Sequence, residues 1–214
     1  QNVLRRMGYS EKEIYNFITG PGYNAWWLMG NIEGWGGPMP QSQIDSRKKM
    51  VQKMLARMKS LGIEPLMPGF YGMVPSSLKN KSKAHIIAQG NWGAFVRPDI
   101  LDPLDPEFDK VAAIFYEETR RLYGSDIRFF SGDPFHEGGT TDGVSLGDAG
   151  RAIQNAMQKH YSESVWVLQG WQDNPKPGLL EKLDKRYVLV QELFGENTNN
   201  WETRRGYEGT PFIW

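Results

Sequence analysis

The stretch SGDPFHEGG, residues 131–139, places acidic, basic and flexible residues directly after a short apolar run. Glu137 in this stretch follows Pro134-Phe135 and precedes Gly138-Gly139. Apolar neighbours raise the pKa of a carboxyl group, so that it stays protonated near neutral pH and can donate a proton. The glycines would let a substrate approach the backbone closely. Glu137 is therefore the best candidate for a general acid/base, although a salt-bridged loop glutamate would fit the same pattern.

Other polar residues near Glu137 allow two interpretations each. His136 could orient a substrate hydroxyl or support another side chain, and Asp133 could bind a sugar hydroxyl or, more commonly, cap its own turn. Ser131 has no G-x-S-x-G context, which argues against a serine nucleophile. The other histidines, His85 and His160, are isolated and no HExxH is present, so we expect neither a metal site nor a cofactor.

A glycosidase typically needs a second carboxylate, about 5 Å from the first for retention of configuration and further away for inversion. Glu192 and Glu196 lie at the end of the segment YVLVQELFGEN and could supply it. Either could equally be a solvated loop charge, which is the more common role of such residues. The residue pattern leaves this choice open.

Aromatic residues are unusually frequent, with 8 Trp, 9 Tyr and 10 Phe among the 214 residues. They occur together with many of the 24 Gly and 13 Pro, as in YNAWWLMGNIEGWGGPMP and QGNWGAF. A large core with tight turns would explain most of them. A wall of flat side chains beside sharp bends would also suit sugar rings, whose apolar faces stack on aromatic rings, so a carbohydrate ligand is a reasonable hypothesis.

Composition excludes several classes of partner and chemistry. The 25 Lys and Arg balance the 25 Asp and Glu, which argues against a nucleic-acid or anionic-membrane partner. No apolar run approaches the roughly 20 residues of a membrane span, and the N-terminal segment QNVLRRMGYS does not predict a signal peptide. The absence of cysteine rules out disulfides, thiolate ligands and cysteine nucleophiles.

Hydrophobic periodicity predicts alternating strands and helices. Helical spacing is present over residues 41–61, 105–123 and 145–161, and a short helix is predicted at GLLEKL, residues 178–183. Asp105 and Pro106 suit the N-cap and first position of the second helix. Strands are predicted from the apolar segments IEPLMPGF, IRFF, SVWVLQGW, YVLVQELF and PFIW.

Strands that are apolar along their length predict an α/β fold with a parallel sheet covered on both faces. An open doubly wound sheet and a (β/α)8 TIM-type barrel both fit, but neither GxGxxG nor GxxxxGK[ST] occurs. Glycine, aromatic and acidic residues recur just after each strand, and a barrel would gather these segments around one pocket. We therefore predict that residues 1–214 are one partial catalytic barrel domain that lacks the last strands, since only five or six strands are countable.

Several segments resemble glycoside hydrolase family 89, the α-N-acetylglucosaminidases. FITGPGYNAWWLMGNIEGWGGPMP resembles a signature of that family, and GNWGAF, DPFHEGG, VWVLQGW, LVQELFGE and PFIW follow in the family's order. The resemblance extends from about Phe17 to the last residue. It implies a catalytic (β/α)8 barrel that removes terminal α-linked N-acetylglucosamine from glycans with net retention, through a covalent glycosyl-enzyme.

The resemblance also implies roles for individual residues. Glu137 matches the family's general acid/base, and it is preceded by His136 where animal and plant relatives often carry Asn. That difference leaves the proton-transfer role intact but puts the hydrogen bond to the sugar in doubt. Pocket positions of the family correspond to Trp26, Met29, Trp92, Trp171, Leu193 and Phe212.

The family's nucleophilic glutamate lies beyond the equivalent of PFIW. We therefore expect the rest of a longer parent chain to supply it and to complete the barrel, so that residues 1–214 alone would be inactive. The resemblance favours a secreted, periplasmic or lysosomal protein. Two alternatives remain open, a non-catalytic glycan-binding module of the same ancestry and an unrelated barrel with a phosphorylated substrate.

Overall fold

The computed structural model describes residues 1–18, 32–37, 39–135, 138–197 and 200–214. The helices are α1 (Asn2–Arg6), α2 (Glu11–Phe17), α3 (Gln41–Ser60), α4 (Pro106–Tyr123), α5 (Leu146–His160) and α6 (Asn200–Thr203), with short 3₁₀ helices at Ser76–Asn80 and Lys185–Tyr187. The strands are β1 (Leu66–Pro68), β2 (Met73–Val74), β3 (Ile86–Ile87), β4 (Asn91–Trp92), β5 (Phe95–Val96), β6 (Asp99–Leu101), β7 (Phe129–Ser131), β8 (Val165–Gly170), β9 (Val188–Glu192) and β10 (Phe212–Ile213).

A five-stranded parallel sheet contains β1, β7, β8, β9 and β10 in this order. Each strand pairs with the next strand of the sheet along the chain, as in a (β/α)8 barrel. Helix α4 lies between β1 and β7 in sequence, and α5 lies between β7 and β8. The five strands correspond to those predicted from the apolar segments.

The helices cover one face of this sheet. Phe130 of β7 is fully buried, 5.6 Å between ring centroids from Tyr116 of α4 and 4.9 Å from Tyr161 after α5. Phe130 pairs with Trp166, which pairs with Val188, so all three side chains project to this outer face. Residues that alternate with them face the barrel interior.

The interior face is more open among the described residues. Leu66 is 46% exposed and Ile213 is 50% exposed. Register places Leu66 beside Phe129 and Ile213 beside Gln191, which alternate with the outward-facing residues of β7 and β9. The exposed apolar side chains of this face therefore lie on the edge strands β1 and β10, whereas Val165 and Val167 of the central strand β8 are buried.

The boundaries of α3, α4 and α5 agree with the predictions to within one residue, whereas α1 and α2 were not predicted. The Asp105 carboxylate accepts a hydrogen bond from the Glu107 amide at 2.8 Å, and Pro106 is the first residue of α4, as expected for an N-terminal cap. Part of the apolar side of α3 faces solvent, because Met50 and Met54 are more than half exposed.

Two further predictions differ from the structure. The segment GLLEKL is a series of turns rather than a helix, with Leu179 donating to Lys176 and Leu183 donating to Leu180 across three residues. No helix or strand was predicted for the region between β1 and α4. It contains the antiparallel sheet β2-β6-β3 and the hairpin β4–β5, whose two- and three-residue strands are too short to leave a periodic signal.

A carboxylate ties the ends of two parallel strands together. Asp133, two residues after β7, accepts a hydrogen bond from the Gln169 amide of β8 at 2.8 Å. The aspartate therefore links neighbouring strands, whereas the sequence favoured a cap of its own turn. Burial raises the pKa of Asp133 to about 7, although the bond from Gln169 favours the charged form.

This pKa predicts how stability depends on pH. The folded state binds the Asp133 proton more tightly than the unfolded state, whose pKa is near 4. The stabilisation that the protonated Asp133 carboxyl group provides is therefore present below about pH 4 and is lost as pH rises through about 7. We expect the thermal midpoint of the wild-type protein to fall relative to that of Asp133→Asn across this range, measured by scanning fluorimetry.

Asp126→Asn is the control for this measurement. Its exposed carboxyl pairs with Lys59, which lowers the pKa of Asp126. The thermal midpoint of the wild type relative to that of Asp126→Asn should therefore rise slightly with pH, which is opposite in sign to the change expected for Asp133. A wild-type midpoint that stays level or rises relative to Asp133→Asn between pH 4 and 7 would contradict the assignment.

Candidate active site

Contacts between neighbouring loops run along the carboxyl ends of the parallel strands. We call residues 69–71, 132–135, 171–172 and 193–194 the C-terminal rim. The Gly69 amide donates to the Ser131 carbonyl at 2.6 Å, and the Leu193 amide donates to the Gly170 carbonyl at 2.9 Å. Together with the bond from Gln169 to Asp133, these contacts place the loops after β1, β7, β8 and β9 side by side.

The loop after β7 turns sharply on both sides of the candidate acid. Phe135 is buried and has φ of 62°, a left-handed conformation that is rare for a bulky residue. Gly138 has φ of 76°. His136 and Glu137, between them, lie outside the described residues. Such backbone strain is concentrated at functional sites in proteins, which makes this loop a candidate site.

Aromatic side chains border the rim near β8 and β9. Trp171 directly follows β8 and stacks on Phe194, with 5.9 Å between ring centroids and 29° between planes. Leu193, next to Phe194, is 41% exposed. Trp171 and Leu193, two pocket positions implied by the family resemblance, therefore both lie on the C-terminal rim.

The other predicted pocket residues lie elsewhere or are not described. Trp92 is on the hairpin β4–β5 and is 42% exposed. Phe212 of β10 is 37% exposed and stacks on Trp201, with 6.4 Å between ring centroids. Trp26 and Met29, like His136 and Glu137, lie outside the described ranges.

Glu192 is a buried carboxylate rather than a solvated loop charge. It accepts hydrogen bonds from the Phe194 amide at 2.8 Å and from the Tyr207 hydroxyl. Its register partner is Gly170, and both lie on the outer face of the sheet. Glu196, the other candidate for a second carboxylate, is exposed. Glu192 is therefore already engaged away from the barrel interior.

Tyr207 is a buried residue that the sequence did not single out. It lies in the turn Arg205–Gly209, where Gly206, Tyr207 and Glu208 have left-handed φ angles of 59°, 50° and 60°. Burial, and then the hydrogen bond with Glu192, raises the pKa of Tyr207. A Cβ at Gly170 would lie 2.5 Å from the Tyr207 hydroxyl oxygen, so only glycine fits in the strand beside it.

The described ranges contain no group of three or more His, Cys, Asp or Glu residues that could hold a metal ion. His85 pairs with Asp102 at 2.8 Å, and His160 stacks on Tyr116. Among the helices that the structure describes, none is long and apolar enough to cross a membrane.

Comparisons with known proteins identify the domain. A family model described as the α-N-acetylglucosaminidase tim-barrel domain matches residues 1–214. The chain is 30% identical over 230 residues to α-N-acetylglucosaminidase of Homo sapiens, covering 100% of the chain and 31% of that relative.

Solved structures from Clostridium perfringens are also similar. A family 89 glycoside hydrolase in complex with 2-acetamido-1,2-dideoxynojirimycin is 41% identical, with a TM-score of 0.93. A variant of it with two glutamates changed to glutamine, bound to its substrate GlcNAc-α-1,4-galactose, is 40% identical with the same TM-score of 0.93. The matches cover 100% of this chain and 25% of those chains.

The five parallel strands and these matches confirm the predicted barrel fold and the resemblance on which it partly rested. The chain spans about a third of the length of its human relative and a quarter of the solved chains. It belongs to the α-N-acetylglucosaminidase family, glycoside hydrolase family 89, and matches that family's TIM-barrel domain.

Proposed function

We propose that the chain is part of the catalytic barrel of an exo-acting, retaining α-N-acetylglucosaminidase. Its substrate would be a glycan that ends in α-linked N-acetylglucosamine. Support comes from the family match over residues 1–214 and from the C. perfringens relative bound to GlcNAc-α-1,4-galactose. The hydrolytic activity is a property we assign to the longer protein that contains this chain.

Glu137 is the proposed general acid/base. The observation that carries this assignment is its place in the loop after β7, between the left-handed residues Phe135 and Gly138. Asp133 joins this loop to β8, so the backbone before Glu137 is tied to the sheet. A catalytic group must be positioned accurately to be effective, and a loop anchored to a rigid strand meets this need.

The proposed reaction has two steps. Glu137 donates its proton to the glycosidic oxygen while a second carboxylate bonds to the anomeric carbon, and the aglycone leaves as an alcohol. Glu137, now a carboxylate, accepts a proton from water, and the water oxygen displaces the second carboxylate from the sugar. The anomeric configuration is inverted twice and is therefore retained.

The second carboxylate is proposed to be a glutamate outside residues 1–214. Glu192 is engaged with Tyr207 on the outer face of the sheet, and Glu196 is exposed. The C. perfringens substrate complex has two glutamates changed to glutamine, and two is the number of carboxylates that this mechanism uses.

The sugar site is proposed to combine aromatic and apolar surface with hydrogen-bonding groups. Trp171 and Leu193 lie on the rim, and Trp92 retains exposed surface that a ligand could cover. Phe212 is assigned to the site from its family position only, because its register on β10 places it on the outer face of the sheet. Trp26, Met29 and His136 are assigned to the same site from their family positions. His136, beside Glu137, is assigned a hydrogen bond to a sugar hydroxyl.

The remaining barrel strands are proposed to come from the rest of the longer protein. Leu66 and Ile213 support this assignment because they are about half exposed on the interior face of the sheet. Further strands would cover these apolar side chains and close the barrel. Residues 1–214 would then form part of one catalytic domain.

Substitution of Glu137 tests the assignment in the full-length protein. Glu137→Gln cannot donate a proton, so kcat/KM for GlcNAc-α-1,4-galactose should fall by about 100-fold or more. An aryl α-glycoside with an activated leaving group needs little protonation and should lose less than about tenfold. Steady-state kinetics on both substrates give the comparison.

Glu163→Gln is a matched control, because Glu163 is an exposed glutamate that precedes β8 at the opposite edge of the sheet. It should leave both rates within about twofold of the unmodified enzyme. Full activity of Glu137→Gln on the disaccharide would exclude the acid/base role. Binding of the disaccharide by the unmodified protein without any turnover would favour the alternative of a glycan-binding module.

A further inference from the structure

Gln89 lies between β3 and the hairpin β4–β5, and it contacts the loop that follows β7. Its side-chain Nε2 donates to the carbonyl oxygens of Thr140 and Ile87, each at 3.3 Å. Its backbone amide donates to the Asp99 carboxylate at 2.9 Å, and Asp99 is buried. The backbone of Gln89 is therefore fixed on the antiparallel sheet, and its side chain reaches across to the neighbouring loop.

The loop after β7 closes tightly at the point that Gln89 touches. A Cβ added to Gly139 would lie 2.5 Å from Gln89 Oε1 and 2.9 Å from the backbone Cα and C atoms of Phe135. Such distances leave room only for glycine. Phe135 and Gly139 are thus adjacent in space, and the Gln89 side chain lies against the point where they meet.

Glu137 is two residues from Phe135 and two residues from Gly139 in the sequence. We propose that Gln89 is a positioning residue for Glu137, which acts by holding closed the turn that carries the acid. This inference rests on the proposed function of Glu137. Gln89 itself is assigned no contact with the substrate and no proton transfer.

The same contact couples two parts of the proposed sugar site. Trp92 follows Gln89 by three residues on the hairpin, and Thr140 follows Glu137 by three residues on the loop. A single amide therefore links the segment that carries an aromatic pocket residue with the segment that carries the acid. Loss of the amide should affect proton donation first, because general acid catalysis depends steeply on geometry.

Gln89→Met in the full-length enzyme is the main test, since methionine keeps the length of the side chain and removes the amide. We expect kcat/KM for GlcNAc-α-1,4-galactose to fall by about tenfold or more. The value for an activated aryl α-glycoside should fall by less than about threefold, because that reaction needs little protonation. Gln89→Glu, which places a carboxylate against two carbonyl oxygens, should show the same pattern with a larger loss.

A double variant separates positioning from a general structural role. If Gln89 acts through Glu137, then adding Gln89→Met to Glu137→Gln should cause no further loss on the disaccharide. Gln52→Met is the control. Gln52 also donates its side-chain amide to a main-chain carbonyl, that of Leu122 at 2.9 Å, but it does so between α3 and α4. It should change neither rate by more than about twofold.

Several results would overturn the inference. Equal losses on the two glycosides, or additive losses in the double variant, would show a structural effect that does not pass through Glu137. If Gln89→Met does not fold, Gly139→Ala disturbs the same contact from the loop side and must show the same leaving-group pattern. An unmodified enzyme that hydrolyses neither glycoside would instead refute the proposed function, and the inference with it.

Discussion

Parallel pairing of β1, β7, β8, β9 and β10 is the constraint on which the rest of the structure depends. When consecutive strands run in the same direction, every carboxyl end lies at the same edge of the sheet, and the loops that follow become neighbours. Residues far apart in sequence, such as Asp133 and Gln169, then meet within hydrogen-bonding distance. The C-terminal rim can therefore hold the acid, the aromatic side chains and the polar contacts of a single site.

The outer face of this sheet carries the packed core, and its C-terminal rim carries the candidate site. Phe130 and Trp166 pack beneath the helices on the outer face, where burial of large apolar side chains stabilises the fold. Phe135 at the rim and Tyr207 in the turn before β10 have left-handed backbone conformations that are unfavourable in isolation. These conformations persist because the surrounding contacts hold them, and they fix the direction of the loop after β7 and of the chain before β10.

Local signals in the sequence predicted the three long helices and the five parallel strands, but not the short antiparallel strands. The cap at Asp105 and the apolar run of β8 each follow from near neighbours along the chain. Contacts between distant residues could not be predicted in this way. The engagement of Glu192 depends on Tyr207, whose left-handed turn has no propensity signal, and the role proposed for Gln89 depends on a loop about fifty residues later. The residue pattern itself singled out Glu137 as a candidate acid, and the family resemblance added the pocket positions.

A crystal structure of the full-length protein with 2-acetamido-1,2-dideoxynojirimycin would show directly whether the sugar site lies at the C-terminal rim with Glu137 as its acid. We predict that the inhibitor lies at the carboxyl ends of β7, β8 and β9, against Trp171. The Glu137 carboxyl group should then be within about 3 Å of the inhibitor or of one bridging water. An inhibitor bound at another edge of the sheet, or a Glu137 side chain directed into bulk solvent in that complex, would contradict the proposed position of the site and the role of Glu137.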